Sequence, residues 1–584
     1  MAQRTHRRSQ TSFRLALSSL VPRASVAGVA ALLAVTTGSL APASQLAAQS
    51  LSGVGDDAIP VPHRGFRLRV AGQWNDWDAV YQDSAGKAGK YPLLQRVGQR
   101  SLGVATLSQL GPAEAAIRSL TGLSDFTISL GTLEAQGDVR QSTSPISLEF
   151  GVTPRLSVGL LVPYVESRDN TQLILNRQGT GVTVGANPAY GRTTGATARA
   201  SNATILREIA RARARLTAEI ARCADAAAAS CDAIRANPAG AQQLLTRALE
   251  TQGAIATIYG DSLQGGSPVV PFTETLLGER IVGQLFTLRT SFEQFGVRDI
   301  AESSRPAGAS VAYGPGGLEA LALDSAFGLG YERLGNTRRS GIGDIDLTAS
   351  FLLFDSFARP GAARGATSLR AFRSMATLGW RFGTAGADRA EDAFDVPGGA
   401  GANALLARST TDVLLRRSLW LSASVRFVKP FGDRIVVPVP LRTDTTIFSS
   451  FALASAQRSL GSRMEFEVAP RYAFGDFFGL SAAYLFRRVG ESTVDAGSDV
   501  PTPSSVPVLL YGANPASTFQ AASAGVTFST LASYTRGRSK YPVEVIYTHM
   551  APISGSGGIV PAVSTDRLEL RVYFGMARAG NVPR

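Results

Sequence analysis

An antiparallel transmembrane β-barrel of about twelve strands, with an α-helical insertion in one long external loop, is the fold this sequence predicts, and three observations predict it. The first is alternation. From Thr565 to Met576, Leu568, Leu570, Val572, Phe574 and Met576 share one parity, while Arg567, Glu569, Arg571 and Tyr573 share the other. Side chains of a strand point to opposite faces with period two, so this segment has one oily and one charged face. Arg463 to Phe474 repeats the pattern, with Met464, Phe466, Val468 and Tyr472 against Arg463, Glu465, Glu467 and Arg471. Gly343 to Leu353 does so again, with Ile345, Leu347, Phe351 and Leu353 against Asp344, Asp346, Thr348 and Ser350.

The second observation is a leader. Arg4, Arg7, Arg8, Arg14 and Arg23 form a basic stretch with no acid in it. Val26 to Val35 is apolar but too short to span a bilayer as a helix, and small residues follow through Ala47-Ala48. This reads as a cleaved signal peptide over 1–48, with the mature chain starting near Gln49. No cysteine lies near that site, which argues against a lipid anchor. The third observation is that no mature segment offers about 18 consecutive apolar residues, which leaves no transmembrane helix to find. Many dyad-patterned segments behind an export signal point to the bacterial cell outer membrane, with lipid outside the barrel and water inside. A secreted β-sandwich also alternates; the charge on the inner parity and the long loops weigh against it. The leader's five arginines take the formal +13 down to +8 for the mature chain. That modest excess gives no cause to expect nucleic acid; the expected partners are membrane lipid and lipopolysaccharide, an unknown small solute, and the export and barrel-assembly machinery.

Taken in order, the strand candidates are 66–81, 126–152, 155–168, 342–355, 367–383, 408–416, 419–430, 461–474, 478–489, 518–534, 541–551 and 565–577. An even count lets both termini sit on the periplasmic side. The segment 126–152 is long enough for a hairpin, which would make the count fourteen. Thr153-Pro154, Arg417-Ser418, Gly475 to Gly479 and Arg536 to Lys540 are short connections, whereas 169–341, 384–407, 431–460 and 490–517 are long. Short and long alternate, as they should if the long ones face outside. The chain then divides into a first part of the barrel at 49–168, an external insertion at 169–341, the remainder of the barrel at 342–577 and a tail at 578–584.

Within the insertion, Ile205, Ile209, Ala212, Leu216, Ile220 and Cys223 recur at spacings of three and four, with Arg207, Arg211, Arg213, Arg215 and Arg222 on the remaining faces. That is an amphipathic helix, with Asn202 a plausible N-cap. A second helix is expected over Gln242 to Tyr259. After the loop Gly265-Gly266-Ser267-Pro268, a third carries Leu277, Ile281, Leu285, Leu288, Phe292 and Phe295. Three such stripes can bury one another as a helical subdomain over about 203–298. Its arginine face could meet anionic lipopolysaccharide, although a charge run is usually a solvated helix face. Cys223 and Cys231 are the only cysteines, and an oxidising compartment favours a disulfide between them. A metal pair is the rival, without a histidine or third thiol to complete it.

The runs ISLEFGVTPRLSVGLLVPYVES (Ile146 to Ser167) and SGIGDIDLTASFLLFD (Ser340 to Asp355) resemble signatures of a large group of bacterial outer-membrane barrels labelled transporter-like or associated with phenol-degradation pathways. The resemblance spans 125–168 and 340–577, and the insertion departs from it. It implies fold and compartment and leaves the solute open.

Catalytic constellations are nearly absent: no GxSxG, HExxH or metal-spaced cysteines, and only His63 and His549 in the mature chain. No cofactor or metal site is expected. His549 lies on the lipid-facing parity beside Tyr547. Outer-membrane phospholipases place a histidine on such a surface, but their pattern does not follow it here, and an interfacial girdle histidine is the plainer reading. Three Asn-Pro-Ala tripeptides (187–189, 237–239, 514–516) read as turn chemistry.

The inner parity places Arg67, Arg69, Arg426, Arg471, Arg487, Arg567 and Arg571 against Glu149, Asp344, Asp346, Glu465, Glu467 and Glu569 in the lumen. Near-balanced charge suits cross-strand ion pairs as well as a selective ring. Two functions follow: a passive channel for small solutes, hydrophobic or aromatic ones among them, with the insertion as a lid; or a closed barrel displaying a helical binding or structural module. Residues 50–65 and the insertion, by their position at the lumen, discriminate the two. On this reading Leu570→Arg is costly and Arg571→Leu is nearly free, since only the first puts a charge in hydrocarbon.

Overall fold

Each of twelve antiparallel strands pairs with its neighbours in the chain, and the first pairs with the last, so the sheet closes on itself. In the computed structural model, residues 57–575 are described except 85–86, 96, 99–100, 178–180, 191–194, 225–227, 261–264, 326, 357–370, 387–388, 390, 395, 417, 441–450 and 496–513. The expected signal peptide, Met576 and the C-terminal tail lie outside the described residues. The barrel strands are β1 (Phe66–Trp77), β2 (Leu133–Gly151), β3 (Leu156–Leu175), β4 (Ile345–Asp355), β5 (Ala371–Phe382), β6 (Ala404–Arg416), β7 (Leu419–Pro430), β8 (Arg463–Phe474), β9 (Phe478–Val489), β10 (Ser517–Ser529), β11 (Val543–Ser556) and β12 (Ser564–Phe574).

Alternation decides which face is which. In β12, Leu568, Leu570 and Phe574 are exposed while Arg567, Glu569 and Arg571 are buried, so the oily face is the outer wall. Aromatic rings mark both rims of that wall. At the short-turn end, Phe66 packs on Phe150 (4.8 Å between centroids), Phe354 on Phe372 (4.2 Å) and Phe478 on Phe528 (5.6 Å). At the long-loop end stand Trp74, Tyr164, Tyr547 and the stacked pair Trp380–Phe431. Such girdles belong at membrane–water interfaces, where amphipathic rings rest. Short turns are locally specified: Thr153 Oγ accepts the amides of Arg155 and Leu156, and Gly475 turns with φ of 63°, a conformation that suits a residue without Cβ.

Several expected boundaries move. The segment 126–152 is one strand, not a hairpin, and begins only at Leu133, because Gly131 (φ 97°) turns the chain away; the count is twelve. Strand β3 runs on to Leu175 rather than 168. The fourth segment divides at Gly343-Asp344, leaving Arg338–Ile342 as a thirteenth strand on the far half of β3. The first ends at Trp77, after which Ala79–Ser84 folds separately; the tenth ends at Ser529, before a short helix, Leu531–Thr535.

The helical subdomain is larger than the insertion. Its helices are α1 (Gly111–Thr121), α2 (Ala196–Cys223), α3 (Pro238–Tyr259) and α4 (Leu276–Gln294), with α3 packing against each of the others. One apolar core joins Leu102, Ile117, Ile209, Leu216, Leu244, Ile255, Ile281 and Leu288 to Leu133 and Leu175 on the extended β2–β3 hairpin. The connection after β1, about residues 93–132, therefore belongs to the subdomain together with 169–341. Asn202 is no N-cap: it lies inside α2, where its amide donates to the Tyr259 carbonyl and its oxygen accepts from the Ala307 amide. Asn237 and Thr275 are the side chains that cap α3 and α4. Cys223 and Cys231 are joined by a disulfide that closes the turn after α2.

Candidate functional site: a lumen lined by ion pairs

The lumen is crossed by chain as well as lined by it. After Arg64 and Gly65 the backbone, traced towards the N-terminus, leaves β1 and turns into the barrel at its short-turn end. The Arg64 amide donates to the Gly151 carbonyl, and Gly151 allows the approach: a Cβ there would lie 2.0 Å from the Pro62 carbonyl oxygen. Residues 57–62 form a strap. Asp57 accepts from Arg571 on β12 at 3.1 Å and lies 3.7 Å from Arg471 on β8 and 4.0 Å from Arg67 on β1. The Ala58 amide donates to Asp412 on β6 at 2.8 Å, and Arg67 donates to the Ile59 carbonyl at 3.1 Å. Strands β6 and β12 are half the circumference apart, so the strap is fastened to opposite walls.

Above it the charged side chains gather into two clusters. On β12, β1 and β2, Glu569 accepts from Arg69, Arg567 and Arg571 at 2.7, 2.8 and 2.7 Å, and Glu149 accepts from Arg67 at 2.5 Å. On the facing wall Glu465 accepts from Arg487 at 2.7 Å and lies 3.6 Å from both Arg426 and Arg463; Arg426 donates to Glu467 at 2.7 Å, and Arg381 forms a two-pronged pair with Asp346 at 2.6 and 2.7 Å. Between the clusters is a cavity of about 110 Å³, room for several waters. Five arginines (69, 381, 408, 426 and 463) and two carboxylates (Glu149 and Asp346) line it.

The long-loop end is closed by apolar residues. Ala79 and Tyr81 pack with Val560 and Ala562 on Leu485, Phe519, Ala521 and Met550 of the inner wall. Beside them Val396 and Val563 pack on Trp77 and Val139, and Gln141 donates to the Pro397 carbonyl at 3.4 Å. Among the described residues, helices α1 to α4 contribute to neither of these two clusters, while Tyr331 and Leu334 of the insertion share a core with Phe394 of the β5–β6 loop.

The structure thus brings together twelve of the thirteen expected lumen residues in paired clusters. Asp344 differs: it sits at the mouth and accepts the amides of Ala385 and Ala400, fastening the β5–β6 loop. Sequence reading missed Asp57, Arg373, Arg381, Arg408, Asp412 and Glu544. Arg373, Arg381 and Glu544 were visible as inner-parity charges; Arg408 and Asp412 share a strand of weak alternation, and Asp57 precedes every strand. His549 bonds Asp566 at 2.9 Å on the outer wall with Tyr547 beside it, and no nucleophile joins them among the described residues. The Asn-Pro-Ala sites behave as turn chemistry: Asn187 accepts the Ala189 amide, Asn237 caps α3, and Asn514 accepts the Ile559 amide.

No family model matches this chain, and no curated protein matches it. Solved structures it is similar to include an outer membrane channel from Pseudomonas putida F1 (8% identity, 89% of this chain and 99% of that one, TM-score 0.35). The CymD monoaromatic hydrocarbon channel is another (9%, 92% and 97%, TM-score 0.24), as is a Pseudomonas aeruginosa FadL homologue (8%, 92% and 99%, TM-score 0.23). At such identities the solute must be sought in this chain's own residues, which build a closed antiparallel twelve-stranded barrel of the outer-membrane type.

Proposed function

We propose that this chain is an outer-membrane channel for small solutes, shut in the present conformation by the strap at one end and apolar loops at the other. One observation carries the reading: residues 57–62 add no strand to the barrel, and the contacts fastening them across the lumen are ion pairs and single hydrogen bonds, which can be released without unfolding the wall. The lumen beyond is lined by charged side chains around a cavity, not filled by a packed apolar core. The solute that fits has an apolar body and an anionic head, since Tyr81, Phe519 and Met550 guard the mouth and arginines outnumber carboxylates around the cavity. A purely hydrophobic solute finds support at the mouth alone. The test is electrical: in an opened barrel with a salt gradient, the reversal potential should show anion preference, and cation preference would remove this solute class.

The competing reading, a closed platform for the helical subdomain, draws on the same ion pairs taken as permanent. Sidedness bears on both. The long loops and the subdomain belong outside the cell, so protease added to intact cells should cut near Gly265-Gly266; cleavage only after the outer membrane is permeabilised would reverse the orientation.

A further inference from the structure

The strap carries a single charge at the head of an apolar run. Asp57 is followed by Ala58, Ile59, Pro60, Val61 and Pro62; Ala58 and Val61 are buried, and the other three are partly buried. The chain thus lays into its own lumen an anionic head with an apolar body, the chemistry argued above for the solute. The head is gripped from separate arcs of the wall. Arg67 on β1 and Arg571 on β12 are neighbours, whereas Arg471 reaches in from β8, four strands beyond β12. Between them the Asp57 side chain is left 7% exposed.

The wall's own carboxylates do not cancel these arginines, because each is shared. Glu149 accepts from Arg67 at 2.5 Å and also lies 3.7 Å from Arg69. Glu569 accepts from Arg571 at 2.7 Å and from Arg69 and Arg567 as well. Glu544 lies 4.0 Å from Arg571 and accepts the Tyr573 hydroxyl at 2.6 Å. Among the described residues, the ion pairs running out from Asp57 therefore join five arginines (67, 69, 471, 567 and 571) to three wall carboxylates. Asp57 offsets part of that excess, and nothing in the geometry requires that the carboxylate filling this place belong to the chain. Buried cations need an anionic partner, and guanidinium forks match a carboxylate from any source.

We infer that Arg67, Arg471 and Arg571 form a binding site for carboxylates with an apolar body, occupied in the shut barrel by Asp57 as a tethered competitor that the solute displaces. The tether is residues 58–65, short enough to present Asp57 to the site at an effective concentration on the order of millimolar. The basic face of α2 is a weaker anion site, for Arg213 donates to Gln252, Arg215 lies 3.5 Å from Asp299, and Arg222 donates to Glu219. The inference rests on the solute class proposed above and names the residues that receive its head.

The test is titration calorimetry on the refolded mature chain with three probes: cyclohexanecarboxylate, its neutral amide, and acetate, which keeps the charge and lacks the ring. Asp57→Ala and Asp57→Asn both vacate the site without touching a strand, and each should bind cyclohexanecarboxylate about tenfold more tightly than wild type, since the competitor is gone. The amide and acetate should both bind these variants more weakly than the ring acid. Adding Arg471→Gln to Asp57→Ala should weaken binding on the order of tenfold, whereas adding Arg207→Gln on α2 should leave it unchanged. Equal affinity in wild type and both Asp57 variants, an amide that binds as well as the acid, or no loss with Arg471→Gln would each overturn the site. Acetate binding as tightly as the ring acid would overturn its apolar part. Conductance separates this inference from the channel reading. Binding as expected in a chain that carries no current in any opened form would keep the site and remove the channel; anion-selective current without binding that depends on Asp57 would remove the site and keep the channel.

Discussion

Replacing Glu465 with leucine should cost on the order of 3–5 kcal/mol, because it strips a shared carboxylate acceptor from three buried arginines. Glu465 is 1% exposed and within 3.6 Å of Arg426, Arg463 and Arg487. Of the three, Arg426 keeps its pair with Glu467. Adding Arg463→Leu and Arg487→Leu should recover much of the loss, since removing both signs removes the need for compensation. Urea titration of refolding into lipid vesicles reads this directly. A single change that costs no more than a surface substitution would mean that water already solvates these charges. The same physics revises the expectation for Arg571→Leu. Parity alone makes it harmless, but Arg571 is buried and serves Asp57 and Glu569 together, so its loss leaves two carboxylates short of a cation.

On the other face, Leu570→Arg should cost about 2–4 kcal/mol in the same titration, the price of a guanidinium near the bilayer midplane. Leu570 is 42% exposed in the bare barrel and lies between Val70 on β1 and Val545 on β11. Leucine to arginine at an exposed site of a water-soluble protein is normally worth a few tenths of a kcal/mol. A small cost here would therefore contradict a lipid-facing wall, whatever the strand order.

Where sequence and structure agree, a single periodicity was at work. The period of two reports burial on one side of a strand, and β4, β8 and β12 show it because one of their faces meets lipid and the other carries polar and charged side chains. Agreement ends where strands leave the bilayer. On β2 and β3 beyond Tyr164 both faces meet water or the subdomain, alternation carries no contrast, and the strand ends were not legible. Helix α1 goes unassigned for another reason: it lies between the first two strand candidates and its apolar stripe, Ala113, Ile117 and Leu120, is only three turns long, although Pro112 at the helix start and Gly122 after its end mark a helix in the sequence. The strap had no signal of its own, since residues 57–62 depend on partners lying from 8 to more than 500 positions away in the chain. Charge balance suited ion pairs and a selective ring equally. Which residues share them depends on register and on the strap, and neither is written in any one segment.

The most direct measurement is single-channel conductance of the refolded mature chain beside two opened forms. In the first, Gly151→Val displaces the strap by crowding the Pro62 carbonyl; in the second, residues 49–62 are deleted and 79–92, 391–400 and 557–563 are each replaced by a Gly/Ser linker of equal length, clearing the strap at one end and the apolar segments at the other. A shut channel predicts little current from wild type, intermittent current from the first form and steady current from the second, with all three showing the slower-denaturing band of a folded barrel on gels. A doubly opened barrel that is folded and carries no current would show that the ion pairs themselves seal the lumen, and the chain would then be a closed platform for its helical subdomain.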